Sequence, residues 1–245
     1  MRLVWVMAFT VLAGTGVLRA AAPADGNAIS RFFSRAEQPL REYRALRRMH
    51  ASSEKTSKYD AWMDAWTEVK DGRFSYQIVS ERGSDTVRSK VLHAVLDREQ
   101  ALINSGDADK GDLTAANYEF AEGGHDTDGS HVVQMKPRRN DVLLVDGRAV
   151  LNDRGELMRV EGTLSKNPSF WTSLVNIVRR YARIGGVRVP VATETTAKVK
   201  FVGTAQMEVV YDYQSVNGRP VAISERQPLT PARSAGQSGS SDDAR

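Results

Sequence analysis

The sequence predicts an α+β protein, mainly antiparallel β, in which one curved sheet is covered on one face by helices. Many short segments alternate apolar and polar side chains, and tight-turn pairs such as Asp71-Gly72, Gly185-Gly186 and Asn217-Gly218 separate them. Helical periodicity, in contrast, is clear in only two segments. A chain of this kind can bury the apolar face of its sheet by curving it and packing the two helices against it.

The first half of the chain contains both predicted helices. Apolar residues at helical spacing predict a helix over residues 28–38, which Pro39 ends. Segment 59–70 fits both a helix and a strand. We favour the strand, because Asp71-Gly72 joins this segment to the alternating segment 73–79 in the manner of a hairpin turn.

The second helix is the clearest in the chain, and Ser84 or Asp85 caps its start. Its apolar residues share one face: Val87, Val91, Leu92, Val95, Leu96 and Leu102. The polar segment 105–113 that follows is rich in Gly and Asp and predicts a loop. One helix with a single apolar face is suited to covering one side of the sheet.

From residue 118 onward the pattern is that of strands. Asp146-Gly147 predicts a second hairpin, between segments 142–145 and 148–151. Pro190 predicts an edge position or a strand end, because proline cannot donate to a strand ladder. The other strands of this region are predicted at residues 118–120, 131–135, 157–164, 174–184, 187–190, 198–202 and 206–213.

Composition excludes several classes of function. The chain has 245 residues, of which 41% are hydrophobic and 26% are charged, values typical of a globular protein. It contains no cysteine, which excludes disulfides, thiolate nucleophiles and cysteine-ligated zinc. The formal net charge of +4 is too small to indicate a nucleic-acid partner.

The two ends of the chain differ in composition from the segment between them. A positive start and an uncharged apolar run, residues 3–18, precede small residues. This order predicts a secretory signal peptide over residues 1–24 and therefore export to the periplasm, with cleavage after Ala24 preferred to cleavage after Ala22. An uncleaved membrane anchor is the alternative.

The other end is polar. Residues 227–245 contain Pro, Ser, Gly and Asp and almost no apolar residue, which predicts a disordered tail. One domain over residues 25–226 is therefore expected. Near its start lies a cluster of arginines: Arg31, Arg35, Arg41, Arg44, Arg47 and Arg48. A solvated face is the favoured interpretation of this cluster. The alternative is peripheral membrane contact, to which each cation would contribute up to ~1 kcal/mol at an anionic surface.

Two polar clusters have residue types that bind metals, and both are better explained as turns. Loop 107–112 departs from an EF-hand, since Gly111 is its fifth residue rather than its sixth. The second cluster offers imidazoles and carboxylates from His125, Asp126, Asp128 and His131. Neighbouring glycines place that cluster on a flexible hairpin tip, which lacks the support that metal ligands need. We expect no metal and no other cofactor.

Motifs of catalysis are also missing from the sequence. It contains no nucleophile elbow, no phosphate-binding loop and no dinucleotide glycine pattern after a strand. Asp60 and Asp64 alternate with Trp62 and Trp66, a pattern compatible with a sugar-binding cleft, although a half-exposed strand face explains it as well. We therefore predict no catalytic residues and no enzyme activity.

Four motifs resemble those of a known family: 142–147, 153–165, 178–181 and 185–190. They are similar to motifs of the outer-membrane lipoprotein-sorting superfamily of periplasmic lipoprotein carriers (LolA/LolB-like), and especially to uncharacterised bacterial members, over about residues 40–218. The resemblance implies an unclosed (half) β-barrel of about eleven antiparallel strands with helices covering its concave face. It also implies a cavity for acyl chains.

The function predicted from these observations is non-catalytic binding of a hydrophobic ligand, either a lipid or the acyl chains of a lipoprotein. Candidate cavity residues are apolar or aromatic side chains on strands: Trp62, Trp66, Phe74, Tyr76, Leu144, Val160 and Tyr211. The first alternative is an interaction or sensor domain that binds an envelope protein through a sheet edge or through Arg179, Arg180 and Arg183. A metal-dependent hydrolase is the least favoured interpretation.

Overall fold

The computed structural model describes residues 27–35 and 37–222. The predicted signal peptide and the predicted tail lie outside these residues, so both stay predictions. Within the described ranges, every helix is too short or too polar to cross a lipid bilayer.

In residues 27–35 and 37–222, eleven strands form one antiparallel sheet. They are β1 (Tyr43–Ser53), β2 (Ala61–Lys70), β3 (Arg73–Gly83), β4 (Tyr118–His125), β5 (His131–Pro137), β6 (Val145–Leu151), β7 (Leu157–Leu164), β8 (Thr172–Ile184), β9 (Val187–Val199), β10 (Gly203–Val216) and β11 (Arg219–Pro220). Their order is β3-β2-β1-β10-β9-β8-β7-β6-β5-β4, and β11 pairs with β10. The end strands β3 and β4 do not pair with each other in the described part of the chain. The sheet is therefore open, which confirms the predicted half-barrel.

Helix α1 (Ala28–Ser34) is shorter than predicted. The side chain of Asn27 caps its start, where Oδ1 accepts a hydrogen bond from the Ser30 amide at 2.7 Å. The backbone of Arg35 is extended and ends the helix. Gln38, the predicted last residue, instead forms a β-bridge with Val187, which agrees with the restriction that a following proline places on the helical conformation.

The second predicted helix is one continuous helical segment over residues 85–104. It consists of α2 (Asp85–Val87), a π-helical turn (Arg88–Leu92) and α3 (His93–Asn104). Two short 3-10 helices, Ser57–Tyr59 and Ala108–Gly111, lie in the loops after β1 and after α3. The second of them occupies the loop that has an EF-hand-like composition.

Three predicted hairpin turns are confirmed. Asp71 and Gly72 both have positive φ, 51° and 70°, which is the type I′ geometry that matches the twist of the flanking strands. The Gly185-Gly186 and Asn217-Gly218 pairs have the same signs of φ. Segment 59–70 is also a strand over most of its length, as predicted, because β2 pairs with both β1 and β3.

The predicted hairpin at Asp146-Gly147 is wrong. These residues lie inside β6, which runs continuously from Val145 to Leu151. Gly147 pairs with Gly162 of β7, and a Cβ added at Gly147 would lie 2.1 Å from the carbonyl oxygen of Glu161. Glycine is present here because two strand backbones approach closely, not because the chain reverses.

Pro190 lies within β9, where a local gap in the ladder accommodates it. The pairing of β9 with β10 begins only at Ala192, which pairs with Val210. The proline therefore occupies a stretch without a β10 partner, so its missing N–H removes no hydrogen bond on that side. Pro190 is thus paired with a strand on one side only, as at a sheet edge, although it lies inside the long strand β9.

The buried side chains form two clusters. The first core consists mainly of residues from β1–β3, the helical segment and β8–β10. The second core consists of residues from α1, β4–β7 and the loop before β6. Each helical element thus covers one half of the curved sheet, and the open edge between β3 and β4 separates the halves on one side.

Candidate ligand site beneath the helical segment

The inward face of the first core is mostly apolar, but β1 contributes a charged residue to it. Burial alternates along this strand, and its buried residues are Tyr43, Ala45, Arg47, Met49 and Ala51. The neighbouring strand β2 buries a similar row: Ala61, Met63, Ala65, Thr67 and Val69. Arg47 is therefore a single charge in a row of apolar side chains, placed there by the two-residue period of the strand.

The helical segment closes this face. Its buried side chains are Val87, Val91, Leu92, Val95, Leu96, Glu99 and Ile103. The predicted apolar face is correct except at its end, where Ile103 is buried and Leu102 is half-buried. Ile103 lies four residues after the buried Glu99, so regular helical spacing within α3 places it on the buried face.

Arg47 of β1 and Glu99 of α3 form a bidentate ion pair inside the first core. Nη1 and Nη2 of Arg47 donate to Oε2 and Oε1 of Glu99 at 2.5 and 2.8 Å. The two side chains are 1% and 0% exposed. Two parallel hydrogen bonds between charged groups are the geometry that best offsets the cost of removing both ions from water.

Aromatic side chains enclose the Arg47 guanidinium. Nη2 also donates to the hydroxyl oxygen of Tyr43 at 2.6 Å. Cζ lies 5.2 Å from the ring centroid of Phe74 and 4.8 Å from that of Tyr211, distances at which a cation is attracted to a ring face. The charge of Arg47 is therefore neutralised by Glu99 and surrounded by rings rather than by water.

The environment keeps these groups in defined protonation states. Burial lowers the pKa of Arg47, but the charge of Glu99, the interactions with Tyr43 and Tyr211 and the hydrogen bond to Glu99 together raise it by more, so the pKa lies well above its ordinary value. Burial likewise raises the pKa of Tyr43 and of Tyr213. At neutral pH the guanidinium is charged and both phenols are neutral, as the hydrogen bonds require.

Arg179 brings a second guanidinium to the inward side, whereas its neighbours point away. It pairs with Thr193 of β9, a residue that is 0% exposed, and its Nε has no hydrogen-bond partner in the described structure. Arg180 forms an ion pair with Glu194, and Arg183 forms ion pairs with Glu37 and Glu156 on the surface. The three arginines singled out from the sequence thus do not form one patch.

An apolar cavity of about 40 Å³ lies between the start of the helical segment and the sheet. It is lined by Ala51, Ser52, Ser53, Tyr59, Thr86, Val87, Lys90, Val91 and Val202. Typical ligand pockets hold about 300–1,000 Å³, so this cavity could hold a lipid chain only if the helical segment moved outward.

The structure divides the seven candidate cavity residues among three places. Phe74 and Tyr211 contact Arg47 in the first core. Tyr76 lies beside Phe74, half-buried, and its hydroxyl donates to Oδ1 of Asp97 on α3 at 2.5 Å. Burial and the nearby Asp97 raise the pKa of Tyr76 to about 12. The next two candidates, Leu144 and Val160, belong to the second core.

Trp62 and Trp66, the remaining two candidates, lie on the outer face. Trp62 is stacked on His50 with ring centroids 4.6 Å apart, and the Arg82 guanidinium lies 4.6 Å from its ring. Arg44 lies 4.9 Å from the ring of Trp66. A groove of about 490 Å³ runs along this side, lined by Trp62 and side chains of β1, β3 and β10. The two tryptophans therefore do not share a cavity with Phe74 and Tyr211.

The histidine-rich hairpin tip is occupied by ordinary protein contacts. His125 and His131 pair across β4 and β5 with ring centroids 4.8 Å apart. The Asp126 carboxylate accepts a hydrogen bond from Arg159 at 2.7 Å, and Asp128 accepts one from the Ser130 amide. Over residues 27–35 and 37–222, no group of three or more His, Cys, Asp or Glu side chains is arranged to hold a metal ion.

Sequence reasoning missed the buried ion pair, although a signal for it exists. Arg47 lies in phase with the apolar residues of β1, and Glu99 lies three residues after Leu96 on the buried face of the helix. A charge in phase with an apolar pattern on two elements indicates a pair of buried charges that meet.

Comparisons with known proteins give one distant similarity. No family model matches the chain, and no curated protein matches it. Among solved structures, the chain is similar to a LolA superfamily protein from Nitrosomonas europaea, with 10% sequence identity and a TM-score of 0.44. The match covers 76% of this chain and 92% of that chain.

Proposed function

We propose that the protein is a non-catalytic, periplasmic binding protein for a hydrophobic ligand, either a lipid or the acyl chains of a lipoprotein. In this proposal the helical segment 85–104 is a lid over the concave face of the open sheet. The observation that carries the proposal is the buried ion pair between Arg47 of the sheet and Glu99 of the lid.

The energetics of this pair favour a positioning role over a purely stabilising one. Replacing a buried ion pair by apolar side chains of similar volume is often neutral or stabilising by roughly 1–4 kcal/mol. Stability alone therefore does not explain why Arg47 and Glu99 occupy an otherwise apolar interface. The pair does specify one closed position, because both charges lose their partners if the lid shifts while they remain buried.

In this proposal, opening of the lid exposes the surface that binds the ligand. The side chains that leave the sheet are apolar, among them Leu92, Leu96 and Ile103, so acyl chains can take their place on the exposed face. Arg47 then loses Glu99, and together with Arg179 it can face the polar end of the ligand. The π-helical turn (Arg88–Leu92) lies near the start of the segment and provides a point at which the lid can bend.

Lipid analysis of protein purified from its own envelope tests the proposal. We expect native mass spectrometry to reveal a species heavier than the chain, and solvent extraction to release the bound lipid. A mass equal to that of the chain alone, together with no uptake of a fluorescent fatty acid, would contradict the proposal.

The lid is tested by the variant Glu99→Gln, which weakens the pair while keeping the size of the side chain. We expect faster uptake of a fluorescent fatty acid than in the wild type. The neutral amide cannot form both charged hydrogen bonds with Arg47, so the closed position is less stable. Glu194→Gln is the matched control, since Glu194 pairs with Arg180 on the surface. Equal uptake rates in the wild type and both variants would show that the pair does not hold a lid.

A further inference from the structure

The aromatic side chains at one end of the sheet are exposed. Phe170, in the loop between β7 and β8, is 79% exposed, and Phe201, between β9 and β10, is 88% exposed. Trp171 lies between them, with its ring centroid 5.5 Å from that of Phe170 and 6.0 Å from that of Phe201. The three rings form one patch, which we call the aromatic tip.

The backbone holds this tip outward. Phe201 has φ of 69°, and Leu174, which is 44% exposed at the start of β8, has φ of 54°. Bulky side chains rarely adopt left-handed φ, and the conformation costs free energy. Exposed apolar side chains on an unfavourable backbone do not stabilise the folded protein. Contact with another surface is therefore the better explanation of the aromatic tip.

The loops that carry the aromatic tip are basic. Segments 165–174 and 196–206 contain Lys166, Lys198 and Lys200 and no acidic residue. Nζ of Lys200 lies 3.9 Å from the ring centroid of Phe170. The neighbouring elements at this end of the sheet add Lys55, Lys58 and Lys90. The acids of those neighbouring elements are Glu54, Asp60 and Asp85. Asp85 forms an ion pair with Arg88.

We propose that the aromatic tip and its lysines dock this protein on the surface of an anionic lipid bilayer. Aromatic rings on loop tips can enter the boundary between headgroups and acyl chains, while lysines remain among the anionic headgroups. A protein partner fits less well, because the centre of a protein interface is depleted in lysine and this tip has a lysine in contact with its rings.

The docking surface goes beyond the proposed ligand site and is separate from it. The cavity of about 40 Å³ at the start of the helical segment is lined by Val202, the residue after Phe201. Docking at the aromatic tip would therefore bring the start of the helical segment close to the bilayer. Membrane binding itself requires neither the lid motion nor a bound ligand, so the two proposals can fail independently.

The experiment is flotation of the exported, processed protein with vesicles of phosphatidylcholine alone or of phosphatidylcholine and phosphatidylglycerol in equal parts. We expect binding to the vesicles with phosphatidylglycerol. The double variant Phe170→Ser with Phe201→Ser should lower the partition coefficient by about tenfold or more. Phe33→Ser, a control at an aromatic residue of α1 that is 45% exposed, should leave it unchanged.

The contribution of charge is measured with a second pair of variants. Lys166→Gln with Lys200→Gln should weaken binding by about fivefold for each lysine. Lys70→Gln with Lys136→Gln, at exposed lysines outside the tip, should have little effect. In processed protein with Trp62→Phe and Trp66→Phe, which keeps Trp171, lipids brominated on their acyl chains should quench the fluorescence of Trp171.

Three outcomes would overturn the proposal. The first is absence of binding to either kind of vesicle. The second is binding that neither tip variant weakens, combined with no quenching by brominated lipids. The third is binding to vesicles only when they carry membrane proteins, which would assign the aromatic tip to a protein partner.

Discussion

The two cores of the molecule are closed by different means. The lid over the first core is held by an ion pair that water does not reach, between Arg47 and Glu99. Helix α1 over the second core is held by apolar contacts of Ala28, Ile29 and Phe32 and by partly exposed ion pairs around it, such as Arg35 with Glu156. Both halves of the sheet need a cover, but the helical segment adds a buried ion pair to its apolar contacts, whereas the ion pairs around α1 are partly exposed.

This difference predicts which single substitutions should destabilise the protein most. Exposed ion pairs contribute about 0–1 kcal/mol each, so the cover of the second core fails gradually. A buried charge without its partner costs roughly 3–5 kcal/mol, so removal of one partner should destabilise the first core strongly.

The largest effect should come from Glu99→Leu, which leaves the charge of Arg47 unpaired in the first core. We expect the free energy of unfolding in urea to fall by roughly 3–5 kcal/mol. Adding Arg47→Met should restore most of the loss, because two apolar side chains then replace the pair. A single variant as stable as the wild type would mean that water reaches Arg47.

The next largest effect should come from Gly147→Ala, which tests the second half of the sheet. The added Cβ would meet the carbonyl oxygen of Glu161, so β6 and β7 must separate, at a cost of about 1–3 kcal/mol in the free energy of unfolding. Gly72→Ala is the control, because its turn has open space and only the left-handed φ opposes a side chain. A smaller loss at Gly147 than at Gly72 would contradict the close approach.

Alkaline pH should destabilise both cores through buried tyrosines. Burial raises the pKa of Tyr118 in the second core from 10.0 to about 12, and it raises the pKa of Tyr43 in the first core as well. Above pH 10 the unfolded chain releases phenol protons that the folded chain keeps.

This contribution to stability is therefore complete below pH 10 and is lost as the pH rises towards 12. Each such tyrosine should lower the free energy of unfolding by about 1.4 kcal/mol per pH unit within that window. Urea titrations at several alkaline pH values measure the slope, and Tyr118→Phe should reduce it. A slope that is the same in the wild type and in this variant would show that Tyr118 ionises freely.

The smallest effect should come from Glu156→Gln, beside α1. Glu156 accepts hydrogen bonds from Arg35 and Asn152 near the surface, and Asn152 and the nearby positive charges lower its pKa. We expect a loss of at most about 1 kcal/mol, decreasing further at high salt. A loss as large as that of Glu99→Leu would remove the distinction between the two covers.

Much of the fold follows from local chemistry that the sequence contains. The type I′ turn at Asp71-Gly72 needs only the residues of the turn, and the apolar face of the helical segment needs only its own periodicity. Asp146-Gly147 was misinterpreted because the same dipeptide suits a turn and a close contact between strands. Only the position of Gly162 on the neighbouring strand distinguishes the two.

The sequence by itself determined most of the strands, the tight turns and the helix that covers the sheet, because each of these depends on residues a few positions apart. Tertiary structure decided that Arg47 meets Glu99, that Trp62 faces outward, and that two loops bring Phe170 and Phe201 together with Trp171. Such contacts join residues separated by tens of positions. Local periodicity cannot predict these contacts, because they depend on the curvature and the strand order of the whole sheet.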